Sequence, residues 1–136
     1  KMPTPALMLV DLDDTLGLNQ RNNWRNATPL INHLYDFIKT LMADNGWCAR
    51  SHFKGELNDE LLVLVSAETA EQAAAEIIKK IRHTSHLGLA AGAVTVSIGI
   101  GAGTSKFSHL YVRAQMAMRN AKLTGRDTFR TVCQFH

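Results

Sequence analysis

Residues 6–12, Ala-Leu-Met-Leu-Val-Asp-Leu, form a nearly unbroken apolar run of strand length that opens onto a cluster of acids, Asp11, Asp13 and Asp14. A run this short and without a polar face needs cover on both sides, so it predicts a central strand. Such a strand demands neighbours and two covering layers from a chain of 136 residues, the size of one domain.

The rest of the pattern supplies those neighbours. Residues 13–27 are polar, Asn-rich and predicted irregular. Thr28-Pro29 reads as a helix cap followed by the first helical position, and Leu30, Ile31, Leu34, Phe37, Ile38, Leu41 and Met42 recur at helical spacing. Residues 47–53 and 60–66 are strands joined through Gly55, Asn58 and Asp59, which predicts a hairpin. A second helix starts at Thr69, with Gln72 completing a capping box, and directs Ala70, Ala73, Ala74, Ile77, Ile78 and Ile81 inward. A strand over 93–100, a helix over 108–123 closed by Gly125, and a last strand from Thr128 complete the order β-α-β-β-α-β-α-β. A hairpin in the middle disfavours a doubly wound sheet. It predicts an α/β (α+β) fold of the ferredoxin-like kind, with a mainly antiparallel sheet and helices packed around it.

The expected organisation is a single domain over residues 1–136, either whole or cut from a longer multidomain chain, since Lys1 precedes Met2. No apolar run approaches the roughly 18 residues of a membrane span, so no direct membrane insertion is expected and a cytoplasmic location is the default, including the cytoplasmic part of a membrane-anchored protein. Cys48 and Cys133 lack metal-site spacing and are expected to be buried in strands. His83 and His86, at a helix end, are expected to be exposed, and Trp24 and Trp47 to lie in the core or an interface.

Charge is divided along the chain. Residues 1–76 carry eleven acidic and six basic side chains, whereas residues 77–136 carry one acidic and nine basic. That division suits a protein that holds a cation with one half and phosphates with the other, and equally a basic surface without a ligand.

Two acidic constellations compete for the chemistry. Asp-Leu-Asp-Asp-Thr, residues 11–15, resembles the nucleophile motif of haloacid-dehalogenase-like phosphatases, with Asp11 as nucleophile and Asp13 as general acid. That site also needs a late acidic pair, and Asp127 is the only carboxylate after Glu76. The second constellation is Leu-Asn-Asp-Glu-Leu, residues 57–61. A hairpin strand beside the first strand would bring Asp59 towards Asp11, so that the two could share divalent cations; alternatively Asn58 and Asp59 simply make the turn.

Thr-Val-Ser-Ile-Gly-Ile-Gly, residues 95–101, followed by Arg-Ala-Gln-Met-Ala-Met-Arg-Asn-Ala-Lys-Leu-Thr-Gly-Arg-Asp-Thr-Phe, residues 113–129, resembles the C-terminal signature of GGDEF domains, the diguanylate cyclases. The likeness extends to the segments around residues 9–19 and 59–82. It implies a nucleotide-cyclase palm, with metal ligands at Asp11 and Asp59, catalytic acids at Asp59 and Glu60, a base contact at Asn19 and phosphate contacts at Lys122 and Arg126. It also implies Mg²⁺ or Mn²⁺, GTP or another NTP, a homodimer with one substrate per subunit, and fusion to a sensor, EAL or other regulatory domain. No nucleic-acid partner is expected.

The sequence departs from that pattern where the nucleotide would lie. Leu57 and Asn58 replace paired glycines, adding side chains where close approach is needed. Thr15-Leu16 replaces Phe-Lys, Gln115 replaces an Asp of the helix signature, and residues 50–53 lack the acid of the RxxD inhibition site. Two functions follow: a degenerate domain of cyclic-dinucleotide signalling that binds a nucleotide or regulates with weak or absent cyclase activity, and an active but divergent cyclase acting on GTP or ATP.

Overall fold

A computed structural model describes residues 4–25, 27–53 and 56–134, and of residues 51–53 and 56–59 the backbone only. The apolar run becomes β1 (Pro5–Leu12), followed by α1 (Thr15–Asn22), α2 (Thr28–Met42) and a short 3₁₀ turn. Then come β2 (Gly46–Phe53), β3 (Glu56–Ser66), α3 (Ala70–His83), β4 (Val96–Gly101), α4 (Phe107–Leu123) and β5 (Phe129–Val132). The five strands form one sheet in the order β2-β3-β1-β4-β5.

β1 lies in the middle, with its apolar side chains buried on both faces. It runs antiparallel to β3 and to β4, while β5 joins the far side of β4 in parallel. This topology excludes the doubly wound parallel sheet that the phosphatase reading required. It agrees with the α+β palm expected from the hairpin.

The two faces are covered differently. Ala6, Met8 and Val10 of β1 join Val63, Val65, Ile98 and Ile100 in a core roofed by the apolar stripes of α2 and α3. Leu7 and Leu9 point the other way, where Ala114 and Met118 of α4 close over Leu9. The close approach of α4 depends on Gly99 and Gly101, since a Cβ at either would run into the helix backbone, at the Ala114 and Leu110 carbonyls respectively. No helix among the described residues is long and apolar enough to cross a membrane.

Several local expectations need correction. The segment after β1 is not irregular, because Asp14, in a left-handed conformation, caps α1 by accepting from the Gly17 N–H at 3.2 Å and pairs with Arg21 at 3.3 Å. Residues 57–60 do not form a hairpin tip but lie within β3, which begins at Glu56. The Thr69 hydroxyl does not cap α3; it donates to the Ser66 carbonyl at 3.3 Å. Cys133 is exposed and Cys48 partly buried.

His86 is the largest departure, being only 1% exposed. One ring nitrogen donates to the Ile81 carbonyl in the last turn of α3, at 2.9 Å, which leaves the other to accept from His33 of α2 at 2.9 Å. Phe37 packs its ring against the edge of the pair.

Candidate functional site

The site grows from the end of β1. Asp11 lies on β1 and Asp13 just past its end, and both reach towards α4, where Lys122 contacts each of them. The register places Asp11 directly opposite Glu60 on β3 and opposite Ser97 on β4. Directly opposed residues of an antiparallel pair carry side chains on the same face, which brings Glu60 to the same mouth. Asp59 is one residue removed from that pairing. Its side chain, with those of Leu57 and Asn58, lies outside the described residues. The β2–β3 ladder shifts register between Arg50 and His52, beside this segment, and bulges of this kind re-aim residues near functional sites.

Lys122 enters from the last turn of α4. Its Nζ lies 3.2 Å from Asp11 Oδ2 and 3.1 Å from Asp13 Oδ1, and it approaches the Leu12 carbonyl at 3.5 Å. An ammonium seated against two carboxylates and a carbonyl marks a spot that favours positive charge.

The two carboxylates beside Lys122 differ in environment. Asp13 is 5% exposed and accepts hydrogen bonds from the hydroxyls of Thr95 at 2.8 Å and Ser97 at 2.6 Å, and from the Asp127 N–H at 3.0 Å. Burial alone would raise its pKa, but the bonds from Ser97, Thr95, Lys122 and the Asp127 backbone outweigh that effect and hold the carboxyl below its ordinary value. Asp11 is more open, with its side chain 28% exposed. Glu60 shifts the opposite way, raised first by burial and then by the charge of Asp11.

Asp11 and Glu60 are hard oxygen donors held on facing strands, and the Leu12 carbonyl lies beside the same cationic spot. These groups fit Mg²⁺ or Mn²⁺, ions that are commonly held by one or two carboxylates with substrate phosphates completing the shell. Among the described residues no group of three or more His, Cys, Asp or Glu side chains gathers into a self-sufficient metal cage.

Asn19 lies on α1, and its Oδ1 is buried without a hydrogen-bond partner among the described residues. A buried acceptor left open costs free energy unless a ligand supplies the donor. A cavity of about 540 Å³ opens near the end of this helix, lined by Asn23, Trp24, Arg25, Pro29, Leu30 and Leu87. Its lining includes neither Asn19 nor the carboxylates.

Arg126 is exposed on the turn after α4. This turn is conformationally costly: Gly125, Arg126 and Asp127 all have positive φ, at 115°, 61° and 49°. Its backbone is tied by the Arg126 N–H to the Ala121 carbonyl at 3.0 Å, and its side chain Asp127 pairs with Arg82 of α3 at 2.9 Å.

Sequence reasoning about the cyclase site passed over Asp13. Its signal is the i, i+2 spacing from Asp11, together with hydroxyls at positions 95 and 97 on the neighbouring strand.

No family model matches the sequence, and no curated protein matches it. Solved structures do match, and the fold is that of GGDEF diguanylate cyclase domains. The active GGEEF domain of a diguanylate cyclase from Vibrio cholerae superposes with a TM-score of 0.79 at 18% identity, over 98% of this chain and 85% of that one. The GGDEF domain of YfiN from Pseudomonas aeruginosa gives 0.81 at 20% identity, over 98% and 84%. The coiled coil and GGDEF domain of DgcB from Caulobacter crescentus, solved in complex with c-di-GMP, gives 0.76 at 18% identity, over 96% and 70%.

Proposed function

We propose that this chain is a divergent GGDEF-type domain of cyclic-dinucleotide signalling that binds a nucleoside triphosphate with Mg²⁺ or Mn²⁺ and has weak or absent cyclase activity. The observation that carries this reading is the placement of Asp11 opposite Glu60, with Lys122 3.2 Å from Asp11. Two acids and a lysine at one strand end are the groups that binding of a metal-triphosphate requires. Arg126 supplies a second cation to the phosphates, Asn19 stands where the resemblance expects a contact to the base, and Asp59 adds a carboxylate next to Glu60.

When bound, the metal would supply charge neutralisation at the α-phosphate and activation of a 3′-hydroxyl. The chain's own residues do the rest. Asp11 and Glu60 hold the cation, Lys122 and Arg126 offset triphosphate charge, and α4 fixes the distance between the two sets. Leu57 and Asn58 stand where the resemblance expects glycines, which supports reduced turnover rather than loss of the site. A homodimer is part of the proposal, because two bound nucleotides must meet for condensation. Fusion to a sensor or EAL domain, and a cytoplasmic setting, belong to the same reading.

The retained Asp11–Glu60 pairing favours a second reading, an active divergent cyclase using GTP or ATP. Incubation with Mg²⁺ or Mn²⁺ and each NTP, followed by mass spectrometry, separates the two. Trace or no cyclic dinucleotide, with a nucleotide-dependent rise in melting temperature, is the outcome expected. Abundant product that disappears in Asp11→Asn establishes the active cyclase, and neither product nor stabilisation with any NTP removes the nucleotide site altogether.

A further inference from the structure

Asp13 has the most fully engaged carboxylate around the site, yet neither cation binding nor chemistry at the triphosphate requires it. It receives side-chain bonds from Thr95, Ser97 and Lys122 and a backbone bond from Asp127. At 5% exposure it is too enclosed to meet a ligand. What it does touch is the machinery on two other elements. One oxygen takes the Lys122 ammonium at the end of α4, and the other takes the N–H of Asp127, the residue after Arg126.

We infer that Asp13 is a positioning residue: it fixes Lys122 and the left-handed turn carrying Arg126 to the end of β1, so that both cations face one triphosphate beside Asp11. This rests on the nucleotide reading above and deepens it. Three features support it together. The turn holds two consecutive non-glycine residues at positive φ, a conformation that needs restraint from outside to persist. Asp13 provides that restraint on one side and the Arg82–Asp127 pair on the other. Thr95 and Ser97 hold the carboxylate itself in place, so its orientation does not depend on Lys122. A lysine without such an anchor would swing on a flexible stem and lose entropy on meeting phosphate.

The test is calorimetric titration, in Mg²⁺, of the wild type, Asp13→Asn, Lys122→Gln and the double variant with GTP and ATP, and with guanosine and adenosine. A positioning role acts on the phosphates alone. Asp13→Asn is therefore expected to weaken triphosphate binding about tenfold or more while changing nucleoside binding less than about twofold. The double variant is expected to bind little worse than Lys122→Gln, because the two residues act as a unit. Ser97→Ala keeps the charge but loosens the carboxylate, and is expected to give the same phosphate-selective loss at about threefold; it serves if Asp13→Asn fails to fold. Equal loss for nucleoside and triphosphate, additive effects in the double variant, or full triphosphate affinity in a folded Asp13→Asn overturns the inference. A wild type that binds no NTP overturns the nucleotide reading itself, a result distinct from a binding wild type whose Asp13 variant is unimpaired.

Discussion

Asp11 and Glu60 are direct partners across the β1–β3 ladder, so two carboxylates share one end of the sheet on the face covered by α4. Like charges in direct opposition are unfavourable, and Glu60 responds with a raised pKa, first from burial and then from Asp11. A fold that keeps such a pair pays in stability for a site that a cation would neutralise.

Glu60→Gln removes the repulsion without changing shape. The metal-free variant is expected to melt a few degrees higher than the wild type and to bind Mn²⁺ about tenfold more weakly. Differential scanning calorimetry with and without Mn²⁺ reads both effects, and a lower metal-free melting temperature contradicts the assignment of strain to this pair.

Lys122 compensates the other side of the cluster. Lys122→Met leaves the buried Asp13 without its ammonium partner, and a loss of about 1–3 kcal/mol in urea unfolding is expected. Lys79, outside these contacts, serves as a control whose replacement by Met is expected to change stability by less than about 0.5 kcal/mol.

The α4–β4 contact rests on glycine. At Gly101 an added methyl would meet the Leu110 carbonyl, a backbone atom that cannot step aside without moving the helix. Gly101→Ala is expected to cost about 2–3 kcal/mol of stability and to weaken nucleotide binding as well, because α4 carries Lys122. Gly92, which has open space around its Cβ position and only a positive φ of 89° to accommodate, is expected to tolerate alanine at about 1 kcal/mol.

The His33–His86 contact gives a pH dependence far from the carboxylates. Burial lowers the His86 pKa, the Ile81 carbonyl pulls it up less, and His33 lowers it further. The unfolded chain therefore binds a proton more readily, from about pH 6.5 downward, so stability is full above that value and falls as pH drops towards the folded-state pKa. Urea midpoints at pH 7.5 and 5.5 are expected to differ in that sense. His86→Phe is expected to flatten the difference.

The sequence made the sheet legible where its signals were periodic. The two-sided apolar run of β1, the stripes of α2 and α3 and the hairpin sufficed to indicate an antiparallel palm. α1 escaped because its eight residues bury only Leu18 and depend on a left-handed Asp14 cap and an Arg21 pair, which leave no apolar period. The burial of His86 escaped for a related reason: its partners are a carbonyl on α3 and a histidine 53 residues away. At the site, the residue types could be read from motif spacing, but register could not. A one-residue difference along β3 decides whether Glu60 or Asp59 opposes Asp11, and only the ladder fixes that.

The central claim is that Asp11 and Glu60 hold a divalent cation together with a nucleoside triphosphate. Electron paramagnetic resonance titration of Mn²⁺, with and without GTP or ATP, tests it most directly in the wild type and Asp11→Asn. The expected result is Mn²⁺ binding that tightens when nucleotide is present and weakens about tenfold or more in Asp11→Asn. Equal Mn²⁺ affinity in the two proteins, indifferent to nucleotide, would contradict the account.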